Sequence, residues 1–332
     1  MQDVDKWDLR VDQNIDSRDT AFWRLSKHDT SLPDTPGLPA PACGGNNLDY
    51  ITQGWNTGAG WNHIFTSNVI MSVRAGWNYA RFKRDNPASA MGHYFNKEFG
   101  IPGATMAPDG GFSQINVTGY RALGIGPNNP VDRNSQNRQL TGDLSWIKGR
   151  HTLKTGASFI RSQNPIFNIR NTLGTYTFNG AYSGDGAADF LLGRSSQWAW
   201  MSPVIVSMRA WTVGGYVQDD WKIDNRLTIN LGLRYEVSPP WYENSNRMGI
   251  FDIDTTPGQA TLVYAKSGGS RYDRALVATD KNNWMPRIGF AFKLADKTVI
   301  RSGYGLFYAY MENMGDSEYL IFNAPYAWGV TQ

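Results

Sequence analysis

One strictly alternating stretch, NRLTINLGLRYEVSP at residues 225–239, constrains the possible folds of this chain more than any other feature. Apolar side chains occupy every second position: Leu227, Ile229, Leu231, Leu233, Tyr235 and Val237. A period of two predicts an extended strand whose two faces meet different surroundings. Because an average strand has only about five or six residues, this one is long. Its apolar face meets either a protein core or lipid.

Composition excludes several classes of protein. The 332 residues are 41% hydrophobic and carry a net charge of +3 without a basic run, so we expect no nucleic acid as partner. The single cysteine, Cys43, excludes an internal disulfide and a cysteine-based metal site. We expect no metal or other cofactor, because none of the histidines is at metal-ligand spacing. These histidines are His28, His63, His93 and His151.

The hydropathy of the chain leaves one way of crossing a membrane. No run of about eighteen apolar residues occurs, which excludes a helical span. The mean hydropathy of −0.46 is still compatible with a β-barrel, because lipid-facing and lumen-facing residues average out. The first residues, MQDVDKWDLRVDQN, lack the pattern of a signal peptide. They therefore indicate a cytoplasmic protein or an internal piece of a longer one.

A unit of two long strands joined by a tight polar turn recurs about five times. The turns lie at 16–19, 66–68, 148–151, 223–226 and 294–297. Stretches rich in Gly, Pro and Asn separate the units at 29–47, 85–136, 162–205 and 239–283. Loops beyond about fifteen residues are uncommon in soluble domains, whereas outer-membrane barrels combine short turns at one rim with long loops at the other. We expect that arrangement here, with a short helix inside 185–194.

Aromatic residues collect near the ends of the predicted strands. Trp211 and Trp221 share a parity, and at a tilt near 40° their separation projects to about 25 Å along a membrane normal. Trp146, Tyr235 and Tyr308 also lie towards strand ends. Packing in a soluble core would explain the number of aromatic residues but not this placement. We therefore predict that all five are interfacial residues of a membrane belt.

The two parities predict two faces. Leu227, Ile229, Leu231 and Leu233 should face lipid. The opposite parity should face a wet lumen, with glycines leaving room for an element packed inside. Its expected members are Arg74, Asn78, Asn230, Arg234, Arg287 and Arg301. Asp219 is an exception, because it shares the parity of Trp221; it lies either at the polar interface or beside a bulge at Gly214–Gly215.

Two short motifs resemble catalytic elements without their context. SWIK at 145–148 and KTG at 154–156 are similar to the Ser-x-x-Lys and Lys-Thr-Gly elements of penicillin-recognising enzymes. Both lie on the strands of one predicted hairpin, whereas a nucleophilic serine of that class opens a helix. We therefore expect no catalytic residues and no enzyme activity.

Several segments resemble the barrel of TonB-dependent receptors of the Oar-like type. They are ADFLLGR (188–194), GYVQDDWKIDNRLTINLGLRYE (215–236), MPRIGFAFKLADKTVIRSGYGLFY (285–308) and LSWIKGRHTLKTGASF (144–159). The resemblance implies an all-β, up-and-down antiparallel transmembrane β-barrel in the bacterial outer membrane. Barrels of this type have about 22 strands around a plug. Since the sequence predicts about ten strands, we expect a partial, open, curved sheet.

The resemblance also implies a domain organisation and partners. Residues 1–332 are expected to be part of one barrel domain, with the plug and N-terminal domains absent from this chain. The implied partners are outer-membrane lipid, the plug of the same full-length chain, the TonB system and a carbohydrate or peptide ligand. The alternative from the residues alone is a secreted, soluble, β-rich glycan-binding protein, and extraction behaviour separates the two.

Overall fold

The structure, a computed structural model, describes residues 2–33, 36–43, 49–86, 92–101, 110–127, 130–168, 171–253, 260–266, 268–308 and 320–332. In chain order its strands are β1 (Asp3–Asn14), β2 (Asp19–Leu32), β3 (Asp49–Thr66), β4 (Val69–Asp85), β5 (Gln114–Val117), β6 (Val131–Lys148), β7 (His151–Asn168), β8 (Thr175–Phe178), β9 (Gln197–Met201), β10 (Val204–Lys222), β11 (Leu227–Val237), β12 (Tyr242–Glu243), β13 (Gly249–Ile253), β14 (Ala260–Tyr264), β15 (Trp284–Ala295), β16 (Thr298–Gly305) and β17 (Gly329–Thr331). The helices are α1 (Phe95–Glu98), α2 (Gly186–Leu191), α3 (Arg271–Ala275) and a 3-10 turn at Leu320–Phe322. No helix among the described residues has the length and apolar character needed to span a membrane.

The long strands form one antiparallel sheet in which successive long strands are neighbours. The order is β1-β2-β3-β4-β6-β7-β10-β11-β15-β16, and the two-residue β12 joins β10 as the eleventh strand. Within the described ranges, β1 pairs only with β2 and β16 only with β15, so the sheet is open. The predicted partial, up-and-down sheet of about ten long strands is confirmed.

Short polar turns close the hairpins at one end of the sheet. Asp16 accepts hydrogen bonds from the backbone N–H groups two and three residues ahead, at 2.7 and 2.8 Å. Asp224 repeats this geometry at 2.6 and 2.8 Å, and these bonds hold the pKa of its carboxyl below the usual range. In the β6–β7 turn, Gly149 takes a left-handed conformation with φ +58°, which favours glycine. Local turn chemistry therefore sets these hairpins.

The turns and the long loops lie at opposite rims, as predicted. The Arg150 guanidinium donates to the carbonyl of Ile223, which joins the β6–β7 and β10–β11 turns. Next to the β15–β16 turn, the backbone N–H of Lys293 donates to the carbonyl of Arg226 at 2.7 Å. At the other rim, β5 pairs in parallel with β8, so two long loops meet there.

The predicted loop boundaries were wrong at several strand ends. β6 begins at Val131 and β7 continues to Asn168, inside the predicted loops 85–136 and 162–205. Polar cross-strand contacts hold these extensions: Arg81 donates to Asp132 at 2.6 Å, for example. Residues 132–136 of β6 and 162–164 of β7 are polar at every position, so the sequence loses its alternation there although the strands continue. The predicted strand at 298–310 ends at Gly305, and positions 309 and 310 lie outside the described residues.

The long loops carry structure of their own, which we call the loop layer: β5, β8, β9, β13, β14, β17, α1, α2 and α3. β17, β9, β8 and β5 form a four-stranded sheet, and β13 pairs with β14. One apolar cluster includes Cys43, Ile125 and Phe178; a second joins Met248 and Ile321 to the β7 and β10 ends. The helix predicted inside 185–194 is confirmed as α2, and Phe190 packs on the first cluster.

Candidate functional site

The register of the large sheet divides its side chains between two faces. Antiparallel register partners point to the same side of a sheet, and one row runs Arg74–Thr141–Ser158–Gly214–Glu236 across five strands. The alternation along each strand and the remaining register pairs place all the residues predicted to face a lumen on this same side. These residues, which define the polar face, are Arg74, Asn78, Asn230, Arg234, Arg287 and Arg301.

The predicted lipid-facing residues share the opposite side, which we call the apolar face. Its predicted members are Leu227, Ile229, Leu231 and Leu233, and Trp146, Trp211, Trp221 and Tyr235 lie on the same side. Leu231 and Leu233 are 42% and 39% exposed, without a covering layer among the described residues. The contact of this face with lipid, and of the polar face with a lumen, stays a prediction.

The polar face carries a hydrogen-bonded network across strands. Tyr216 donates to Asp143 at 2.7 Å, from β10 to β6. The Arg234 guanidinium donates to Glu236 at 2.9 Å, and their side chains are 27% and 16% exposed. These groups keep access to water, so their charges are not fully desolvated. The network positions side chains on a wet surface.

A groove of about 710 Å³ follows the middle of the polar face. Its charged lining residues are Arg10, Arg24, Arg74, Arg234, Asp143 and Glu236. Four arginines thus face two carboxylates, giving this lining an excess of two positive charges. Such a surface favours a partner that presents carboxylates or other anionic groups.

Glycines give this network room. A Cβ atom at Gly156 would lie 2.5 Å from Asp143 Oδ1 and 2.7 Å from Tyr216 Cε1. A Cβ atom at Gly214 would lie 2.8 Å from the Arg234 guanidinium. The sequence predicted that glycines leave space for an element packed inside. At these two positions, side chains of neighbouring strands take up the space.

Aromatic residues of the apolar face lie towards both rims. At the short-turn rim, the Trp221 ring stacks on His151 with centroids 5.3 Å apart. Towards the long loops, Tyr235 packs on Trp284 at 4.4 Å and donates to a loop carbonyl at 2.9 Å. Tyr308 lies past the end of β16, and its hydroxyl approaches the Asn282 carbonyl at 3.5 Å.

The position of Asp219 distinguishes the two alternatives set out above. The β10 register runs without a shift past Gly214–Gly215, so no bulge turns Asp219 away. It stays on the apolar face near the short turns, and His151 Nδ1 lies 2.7 Å from its Oδ2 atom. Asp219 therefore belongs to the polar rim of the apolar face.

The described residues contain no group of three or more His, Cys, Asp or Glu side chains that could hold a metal ion. SWIK and KTG lie on β6 and β7, as the sequence indicated. Cys43 is fully buried in the first apolar cluster of the loop layer.

Sequence reasoning missed part of the groove. Arg10, Arg24 and Tyr216 line it but were not singled out. The alternation in DLRVDQN and in FWRLSK places both arginines opposite apolar neighbours, so parity could have identified them. Tyr216 gave no such signal, because its role depends on Asp143 from another strand.

Comparison with solved structures finds the same fold in outer-membrane receptors. The Pseudomonas aeruginosa receptor FpvA bound to heterologous pyoverdines superposes with TM-score 0.52 at 12% identity, covering 91% of this chain and 35% of the receptor. The alcaligin receptor FauA of Bordetella pertussis gives TM-score 0.52 at 10% identity over 92% and 35%. At these identities the likeness establishes the fold alone, and this chain spans about a third of their length.

Sequence comparison agrees. The TonB-dependent transporter Oar of Myxococcus xanthus is 38% identical over 52 residues, which are 16% of this chain and 5% of Oar. The family described as "Outer membrane beta barrel domain" matches residues 1–332. These matches place the chain in the bacterial outer membrane, which excludes the secreted, soluble alternative. Because this family match covers the whole chain, and in keeping with the ten long up-and-down strands among the described residues, the chain belongs to the outer-membrane β-barrel family.

Proposed function

We propose that this chain is part of the barrel of a TonB-dependent receptor that takes up a ligand across the outer membrane. All of residues 1–332 would belong to one barrel domain, completed by further strands that pair with the free edges of β1 and β16. The polar face would line the lumen and contact a plug of the same full-length chain. The TonB system would supply the energy, by analogy with the relatives.

One observation carries this proposal: exposed apolar rows alternate with polar rows across the sheet. The row Leu140–Phe159–Val213 is 52%, 43% and 43% exposed. The adjacent row on the other face contains Thr141, Ser158, Gly214 and Glu236. Soluble monomers rarely expose contiguous apolar patches of this extent, whereas a lipid-facing barrel wall requires them.

The loop layer supports a role in ligand recognition. The segments that adjoin its elements β5, α2 and β17 expose aromatic side chains at the rim of the long loops: Tyr120 at 69%, Tyr182 at 57% and Trp328 at 55%. Aromatic faces and polar tips suit carbohydrate or peptide material, the ligand class we propose. Fluorescence titration of the full-length protein with oligosaccharides and with peptides shows which of these two ligand classes binds. Trp328→Ala should weaken binding of that class.

Spin labelling tests the orientation of the sheet. Nitroxides are attached at Leu231→Cys and at Asn230→Cys, its neighbour on the other face, in the full-length protein in lipid. Cys43 is fully buried and does not compete for the label. The label at 231 should collide with dissolved oxygen, and the label at 230 with a water-soluble nickel complex. Equal access of both labels to nickel would contradict the proposal.

A further inference from the structure

A compact group of charged and aromatic residues lies on the apolar face at the short-turn rim. Two register rows define it. Lys148–His151–Trp221 lies next to the turns, and Trp146–Leu153–Asp219 lies two residues further from the turns on each strand. We call these six residues the rim site. It joins three neighbouring strands, β6, β7 and β10. Nothing in the proposed transport function uses it.

The contacts inside the rim site leave its charges incompletely paired. The His151 ring bonds Asp219 Oδ2 at 2.7 Å and stacks on Trp221. Asp219 Oδ1 is buried and has no hydrogen-bond partner among the described residues, while the Asp219 side chain as a whole is 21% exposed. The Lys148 ammonium lies over the Trp146 ring, 4.9 Å from its centroid, and forms no ion pair within the described structure. On a lipid-facing wall, the Asp219 carboxylate and the Lys148 ammonium would thus lie at the membrane interface. The lysine would have no charged partner there.

A second Asp–His pair on the same face shows the contrast. Asp19 Oδ1 accepts from the Trp61 indole at 2.7 Å and contacts His63 Nδ1 at 2.7 Å. The register partners of His63 are Asp19 and Met71, so no lysine lies in that row. Both contacts are made to Oδ1 of Asp19. At Asp219 no indole donates. The cation of the rim site, Lys148, lies on β6 beyond β7, whereas the cation near Asp19 is Arg18 in the adjoining turn.

We propose that the rim site binds the headgroup of phosphatidylethanolamine from the leaflet at the short turns. The lipid ammonium would lie near the Asp219 carboxylate, and the phosphate near Lys148. β6 and β10 are about 10 Å apart across β7, a span that the zwitterionic headgroup and the lysine side chain fill together. The Trp146 and Trp221 rings suit the boundary between headgroup and acyl chains. This inference rests on the proposed contact of the apolar face with lipid.

The incompletely paired charges are the physical reason why the rim site should bind this headgroup. At the edge of the hydrocarbon region, where little water is available, a polar group without a partner is unfavourable. An ethanolamine ammonium donates hydrogen bonds to a carboxylate, whereas the quaternary ammonium of phosphatidylcholine has no N–H to donate. The site should therefore discriminate between two lipids that carry the same net charge.

Native mass spectrometry of the full-length protein, released from nanodiscs that contain both lipids with matched acyl chains, tests the proposal. The wild type should retain phosphatidylethanolamine about tenfold over phosphatidylcholine, the effect of one charge-assisted hydrogen bond. Asp219→Asn and Lys148→Gln should each remove most of this preference. Asp19→Asn, the matched control at the second Asp–His pair, should leave the preference unchanged.

Three outcomes with these two lipids would overturn the inference. They are equal retention of the two lipids by the wild type, unchanged preference in Asp219→Asn, and an equal loss in Asp19→Asn. Retention of phosphatidylglycerol in place of phosphatidylethanolamine would also do so, because it would reveal a site for the phosphate alone. The nitroxide at residue 231 separates this failure from failure of the proposed function: if it meets lipid while no headgroup preference exists, only the rim site is wrong.

Discussion

At the scale of single residues, the alternation of the two faces determines which substitutions the chain tolerates. Neighbours in sequence meet opposite surroundings, so a change that is harmless at one position is costly at the next. Asn230 shows the polar side: its amide donates to Asp220 at 2.6 Å, and the side chain keeps access to water. Leu231, next to it, is exposed on the apolar face.

Leu231→Arg should therefore lower the free energy of unfolding in a bilayer by about 2 to 4 kcal/mol, the cost of a cation near the midplane of a lipid face. Asn230→Arg should be much milder, because an arginine there remains wet and can pair with Asp220. Reversible unfolding in lipid vesicles measures both. Equal destabilisation would contradict the assignment of the faces.

The network on the polar face leads to a second prediction. Gly156→Ala should lower the free energy of unfolding by about 1 to 3 kcal/mol, because the added methyl group displaces Tyr216 or Asp143 and breaks their hydrogen bond. Gly142→Ala is the matched control, since a Cβ atom there meets nothing within 4 Å. If both variants unfold alike, the glycine at 156 has no packing role.

At the scale of elements, the loop layer is organised by buried polar side chains as well as by its apolar clusters. Asp189 of α2 is fully buried and accepts from the backbone N–H groups of Ser183 at 2.9 Å and Tyr182 at 3.3 Å. Asp185 caps the same helix through the Ala188 N–H. These carboxylates attach α2 to the preceding loop, a segment that sequence periodicity alone predicts only as a short helix.

These bonds predict a pH dependence of the loop layer. Hydrogen bonds from Ser183 and from the backbone hold the pKa of Asp189 below its usual range. A depressed folded-state pKa stabilises the fold above the unfolded-state pKa of about 3.9, and this stabilisation is lost as the pH falls through the lower folded-state value. The hydrogen-exchange protection factors of residues 180–194, taken relative to the intrinsic exchange rate at each pH, should therefore fall below about pH 4.

Asp189→Asn provides the control for this experiment. The variant should have lower protection factors than the wild type at neutral pH, and these should depend less on pH in the acid range, because its amide does not titrate. Wild-type protection factors that stay constant on acidification would show that Asp189 does not hold the loop layer together.

At the scale of the whole molecule, the free edges of the sheet dominate. Within the described ranges, β1 and β16 each pair on one side only, and β1 is exposed along its whole length. Open edges of long strands are templates for association with other chains. A barrel of about 22 strands would close such edges, which is the reason for the proposal that further strands complete this sheet.

The 332-residue chain expressed alone should accordingly be insoluble without detergent and should conduct no ions in a planar bilayer. The full-length protein, expressed and extracted in the same way, is the control and should enter the outer membrane. A monodisperse, soluble chain, or a stable channel formed by this chain alone, would contradict the open-sheet interpretation.

The sequence by itself determined the long strands, the tight turns and the division into faces, because parity and turn chemistry are local properties. Leu231 and Arg234 can be assigned to opposite sides without knowledge of any neighbouring strand. The tertiary structure decided what depends on distant segments. The Tyr216–Asp143 bond, the His151–Asp219 pair and the sheet that joins β5 to β17 connect residues far apart in the chain. No local period encodes such contacts, since they arise only when register and loop packing bring separate segments together.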